Sequence, residues 1–126
     1  MEGKKFERDF AKYLKGEGIL FHQLEANSAR NGSWPDFLVL GAMGKLVLFE
    51  LKTTEIEYQV KDVKKLLRHS QRKTNKDLVK SNVRVIVVVK YLVDNTLQFF
   101  DLTNKRNWTS LELGGENSVK SILNYK

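Results

Sequence analysis

Gly32-Ser33-Trp34-Pro35-Asp36-Phe37-Leu38-Val39-Leu40-Gly41-Ala42-Met43-Gly44-Lys45-Leu46-Val47-Leu48-Phe49-Glu50-Leu51-Lys52-Thr53-Thr54 is the stretch from which the fold is read. Two apolar runs, Phe37 to Leu40 and Leu46 to Leu51, flank the glycine-bounded segment Gly41 to Gly44, the pattern of a β-hairpin with a short loop. Asp36, Glu50 and Lys52 interrupt the apolar runs. Side chains alternate faces along a strand, so Glu50 and Lys52 project from one face and Leu51 from the other. If the hairpin closes symmetrically about Met43, Asp36 lies opposite Glu50 on the neighbouring strand, within cross-strand reach. Two carboxylates and one ammonium then meet at one position on the sheet.

Such a meeting is costly without a cation. Two carboxylates about 5 Å apart repel by roughly 3 kcal/mol at an effective dielectric near 20, a sizeable part of a small domain's stability. Lys52 offsets some of this, and a divalent ion offsets more. Oxygen ligands suit Mg²⁺ or Mn²⁺, and a chain without cysteine has no thiolate for zinc or iron.

Trp34-Pro35-Asp36 followed by Glu50-Leu51-Lys52 resembles the signature of the PD-(D/E)XK nuclease superfamily, and the surroundings look most like its Holliday-junction-resolvase branch. The resemblance covers roughly the first three quarters of the chain. It implies an α/β restriction-endonuclease-like core, a mixed central sheet of about five strands flanked by helices, in a single nuclease domain over residues 1–126. It further implies that Asp36 and Glu50 hold Mg²⁺, with Mn²⁺ as a substitute, helped by the backbone carbonyl of Leu51, while Lys52 assists the attacking water. The family also implies a homodimer that makes two symmetric cuts and leaves 5′-phosphates.

The 126 residues suit one domain with its own core. Met1 to Lys5 has no apolar stretch behind it, and the most apolar run, Val85 to Val89, is too short to span a bilayer. The chain is therefore read as intracellular, in the cytoplasm or nucleoid, or in the host cytoplasm if viral, with no membrane partner. Lysine and arginine total 22 against 15 acidic residues, a formal charge of +7 that favours a polyanionic partner such as DNA. A merely basic, well-solvated surface has the same total, so placement matters more.

Gly3 to Lys15 reads as an amphipathic helix, with Phe6, Phe10, Tyr13 and Leu14 at helical spacing and Gly16 and Gly18 as the stop. Glu7 sits beside the apolar stripe and can point toward the hairpin. Glu7 and Arg8 match a Glu-Arg pair that borders the active site in the resolvase-like branch, although an acid early in a helix also answers the helix dipole. Ile19 to Leu24 is the first strand. Glu25 to Ser33 is a polar loop that delivers the chain to Asp36, and Ser28, Arg30 and Ser33 are its candidate phosphate contacts.

After Gln59 a helix is expected to reach at least Arg72, with Lys61, Lys64, Lys65, Arg68 and Arg72 in one stripe and Val60, Val63, Leu67 and Thr74 on a more apolar flank. The stripe reads as a DNA-facing ridge, because a solvated face usually mixes signs. Gln71, at the border of the two faces, matches by order and spacing a glutamine that several branches of the superfamily carry on this helix. Val83 to Lys90 is a β-branched run, expected as a central strand parallel to Leu46–Leu51. Leu97 to Leu102 should return as an antiparallel edge, Trp108 should pin the tail, and Ser118 to Leu123 can form a short helix.

The sequence thus reads first as a metal-dependent endonuclease of branched DNA, a Holliday junction resolvase in particular. A virus-type or restriction-like nuclease for flaps, single strands or duplex has the same residues. A basic nucleic-acid-binding domain with purely structural carboxylates is the reading from another class, and it predicts binding without Mg²⁺-dependent cleavage.

Overall fold

A nine-residue strand built from the second half of the hairpin runs through the middle of the molecule, and every functional element is placed relative to it. The computed structural model describes residues 2–24, 34–115 and 118–124. The element order is α1 (Glu2–Gly16), β1 (Phe21–Gln23), β2 (Phe37–Leu40), β3 (Leu46–Thr54), α2 (His69–Lys80), β4 (Arg84–Tyr91), β5 (Thr96–Asp101), β6 (Arg106–Ser110) and α3 (Val119–Leu123). The six strands form one sheet in chain order. Only the β3–β4 pair is parallel, and every other neighbouring pair is antiparallel.

The hairpin closes as its glycines require. A short 3-10 turn at Ala42–Gly44 carries left-handed backbone at Met43 (φ 59°) and Gly44 (φ 76°). Register then follows, with Phe37 opposite Phe49 and Leu40 opposite Leu46.

Alternation divides the sheet into two faces. Phe37, Val39, Val47, Phe49, Leu51, Ile86, Val88 and Phe99 pack against Phe6, Phe10 and Leu14 of α1 and Val119, Ile122 and Leu123 of α3. The Phe10 ring sits 4.9 Å from that of Phe37 and 5.2 Å from that of Phe49. The opposite face carries two smaller clusters, one joining Val87, Val89 and Phe100 to Val60, Val63 and Leu67, the other joining Leu48 and Val85 to Leu78 of α2. β4 is buried on both faces over Val85 to Val89, which its β-branched run requires.

Three expectations need correction. The sheet has six strands, because β6 pairs outside β5 and makes β5 internal; Trp108 of β6 stacks on Phe99 at 5.7 Å. The first strand is shorter than Ile19 to Leu24, spanning Phe21–Gln23. The helix from Gln59 to Arg72 does not form as one unit. Val60 lies on an irregular arm: its N–H donates to Tyr91 Oη at 2.9 Å, and its carbonyl accepts from Gln98 Nε2 at 3.2 Å. With both backbone groups engaged by β4 and β5, residue 60 has none left for a helical ladder. The Asp62 side chain then caps a single 3-10 turn, Val63–Leu66, by accepting from the Lys64 N–H at 3.0 Å. Leu67 and Arg68 are extended, and α2 starts afresh at His69.

Candidate active site

The acidic pair is assembled by the β2–β3 register. Continuing the Phe37–Phe49 pairing by one step puts Asp36 across from Glu50. The Leu51 N–H donates to Asp36 Oδ2 at 2.8 Å, which anchors the carboxylate at the point where β2 begins. A residue in an extended strand directs its N–H and its C=O to the same side, so the Leu51 carbonyl faces the same gap as the Asp36 carboxylate. Glu50 lies on the α2 face of the sheet with Lys52, while Leu51 is turned into the α1 cluster. Glu50 is 2% exposed, and Lys52 is half-buried.

Electrostatics at the pair follow from burial. Desolvation pushes the Glu50 carboxyl up to about 9, the neighbouring Asp36 charge and a hydrogen bond to Asp36 push the same way, and Lys52 and Arg68 pull against them. Asp36 is also raised, by burial, although the Leu51 N–H, the bond from Glu50, Lys52 and Arg68 all oppose the rise. Both shifts favour the protonated forms, most strongly at Glu50, which holds its proton in the metal-free protein at neutral pH. The Glu50 oxygen Oε1 is buried and has no hydrogen-bond partner among the described residues.

Glu7 approaches from α1. It is half-buried, accepts from Gln23 Nε2 of β1 at 3.0 Å, and has its carboxyl raised by burial and then by the Asp36 charge. It borders the pair without joining it: among the described residues no three carboxylate or imidazole groups come together closely enough to share an ion. Arg8, on the same helix, is exposed.

Gln71 lies on the inner face of α2 and is 4% exposed. Its Oε1 accepts from the Arg68 N–H at 3.0 Å, capping the first turn of the helix. Arg68, whose charge acts on both acids, stands at this N-terminus. Lys61, Lys64, Lys65, Arg68 and Arg72 are all exposed, but the arm, the 3-10 turn and α2 carry them on separate pieces of backbone, so they do not line one helical stripe. Ser28, Arg30 and Ser33, with the rest of the polar loop, lie outside the described residues. Asn75, a buried neighbour of Gln71 on α2, escaped the sequence reading. The signal that finds it is the spacing Gln71, Asn75, Leu78, which marks the inner face once the helix is started at His69.

The donor set fits a hard divalent ion. Two carboxylates and a strand carbonyl aimed at one gap supply oxygen ligands only, and Mg²⁺ is usually held by one or two carboxylates with water completing its shell.

No protein-family model matches the sequence, and no curated protein matches it. A solved structure does. The chain is similar to Hjc, a Holliday junction resolvase from the hyperthermophilic archaeon Archaeoglobus fulgidus, with a TM-score of 0.55 and 15% identity over 84% of each chain. The two proteins share a fold. This chain is thus a restriction-endonuclease-like α/β core, with its mixed sheet between α1 and α3 on one side and α2 on the other. Among the described residues no helix of this core is long and apolar enough to cross a membrane.

Proposed function

We propose that this chain is a Mg²⁺-dependent endonuclease that hydrolyses phosphodiester bonds in branched DNA, acting as a Holliday junction resolvase in a single nuclease domain. The observation that carries the proposal is the Asp36–Glu50 pair, Asp36 half-buried and Glu50 buried, beside Lys52 on the central strand of a core shared with a resolvase. A structural role alone gives no reason to keep two desolvated carboxylates in contact, since burial disfavours the charged form of both and the Asp36 charge raises Glu50 further.

Asp36, Glu50 and the Leu51 carbonyl would hold the ion, with Mn²⁺ as a substitute. Mg²⁺ bound there supplies charge that polarises the scissile phosphate and lowers the pKa of water. Holding the ion would require Glu50 without its proton, so Mg²⁺ binding there would be coupled to proton release. Lys52, on the same face as Glu50, orients the attacking water and offsets charge developing on the phosphate. Arg68 holds a neighbouring phosphate at the mouth of the site, and Gln71 fixes the turn that presents it. Lys61, Lys64, Lys65, Arg72 and Arg8, with Ser28, Arg30 and Ser33 of the polar loop, grip flanking backbone. A four-way junction requires two symmetric cuts, and the active form is accordingly a homodimer.

The test is cleavage of a labelled four-way junction and of a linear duplex of the same sequence, each with Mg²⁺ and with chelator. Paired, Mg²⁺-dependent nicks near the crossover and little cutting of the duplex are expected. Equal cutting of both substrates would move the protein to a duplex nuclease, and salt-sensitive binding without cutting would leave a binding domain.

A further inference from the structure

Four buried side-chain atoms find no hydrogen-bond partner among the described residues, and three of them fall on one side of the sheet: Glu50 Oε1, Asn75 Oδ1 and Asn75 Nδ2. Buried polar groups are paired as a rule, so an amide with neither end satisfied calls for a ligand. Asn75 is 2% exposed and belongs to the inner face of α2 between Gln71 and Leu78.

The packing of α2 brings that amide to the level of Glu50. Leu78 packs on Leu48 and Val85, while Arg68, at the other end of the helix, is felt electrostatically by Asp36 and Glu50. α2 therefore runs back antiparallel to β3 and β4, packed on β4, with its start near the acids and its end over Leu48 and Val85. Asn75 precedes Leu78 by about 4.5 Å of helix, and Glu50 follows Leu48 by about 6.6 Å of strand in the same direction. The Asn75 amide thus lies beneath α2 at about the level of the Glu50–Val87 pair.

We propose that Asn75 is a positioning residue for Glu50. Glu50 Oε1, buried and without a hydrogen-bond partner among the described residues, needs a donor, and the Asn75 amide supplies one through a buried water. Glu50 Oε1 and the two ends of the Asn75 amide would give such a water three polar neighbours, the number that a buried water usually bonds. Fixed in this way, Glu50 presents its other oxygen to the ion. The inference rests on the proposed metal site and adds a residue to it.

The test measures Mg²⁺ binding by calorimetry, without DNA, in the wild type and in Asn75→Leu, Asn75→Ala and Asn75→Asp, with melting in chelator as the control for folding. Asn75→Leu, which replaces an unpaired amide by an apolar group of similar size, should melt at or above the wild-type temperature yet bind Mg²⁺ about tenfold to a hundredfold more weakly. Asn75→Asp, which keeps the shape and loses the donor, should weaken binding at least as much. In junction cleavage, kcat should fall while KM for DNA holds. Wild-type Mg²⁺ affinity in folded Asn75→Leu or Asn75→Ala would overturn the inference and leave the metal site standing. A wild type that binds no Mg²⁺ would overturn both.

Discussion

Replacing Glu50 by glutamine should stabilise the metal-free protein, and only above a definite pH. The Glu50 carboxyl has an ordinary value of 4.5 and is pushed up to about 9 in the folded chain. Below pH 4.5 the folded and unfolded chains both hold the proton, and the group has no effect on stability. Between 4.5 and 9 the unfolded chain releases its proton while the folded chain must keep it, so stability falls as pH rises. Each pH unit in that window costs the folded state about 1.4 kcal/mol, or about 3 kcal/mol by pH 7. Asp36, also raised, adds to the loss in the same direction. Glutamine cannot ionise, and its amide can donate to Asp36 where the protonated carboxyl did. The assay is thermal unfolding in chelator from pH 4.5 to 8.5, wild type against Glu50→Gln. The curves should meet near pH 4.5 and separate steadily, reaching about 10 °C in favour of the variant at pH 7. Parallel curves, or a variant that melts below the wild type throughout, would show that Glu50 does not carry a strained proton and would refute the reasoning.

Mg²⁺ should raise the wild-type melting temperature at pH 8 and release about one proton per site, read by calorimetry in buffers of different ionisation enthalpy; Asp36→Asn should abolish both effects. Lys52→Ala should keep junction binding within a few-fold and lose about a hundredfold or more in kcat; a near-normal rate in single-turnover assays would remove Lys52 from the mechanism. Lys64→Ala and Arg72→Ala should each weaken DNA binding and lower the slope of log K against log salt by about one, with kcat unchanged at saturating DNA. Away from the site, Arg84 bonds Asp101 at 3.0 Å and the Ile122 carbonyl at 2.9 Å, tying β4 to β5 and α3. Arg84→Ala leaves the Asp101 carboxylate buried without its cation and should cost about 3 kcal/mol in denaturant unfolding, with Mg²⁺ affinity preserved.

The parts of this architecture set by short-range rules were legible in the sequence. Glycines at 41 and 44 fix where the hairpin turns, and a strand's two-residue period then sends Glu50 and Lys52 to one face and settles which residue faces Asp36. The unbroken Val85–Val89 run marks a strand with no solvent face. What long-range contacts decide was misread. Val60, Val63 and Leu67 are spaced as a helix would space them, but Tyr91 and Gln98, distant in sequence, claim the backbone of Val60 and keep it out of a helix. Starting the helical phase at Val60 instead of His69 carried Gln71 to a border position and hid Asn75. The placement of β6 outside β5 depends on the Trp108–Phe99 stack, which no local pattern announces. The acids themselves were visible as residue types at a spacing; the burial of Glu50, and the upward shift that burial causes, came only with the sheet.

The most direct measurement is an anomalous difference map from crystals grown with Mn²⁺. The account predicts a strong peak in the gap bounded by the Asp36 carboxylate, the Glu50 carboxylate and the Leu51 carbonyl, and no such peak in crystals of Asp36→Asn. A featureless gap in the wild type at saturating Mn²⁺ would contradict it.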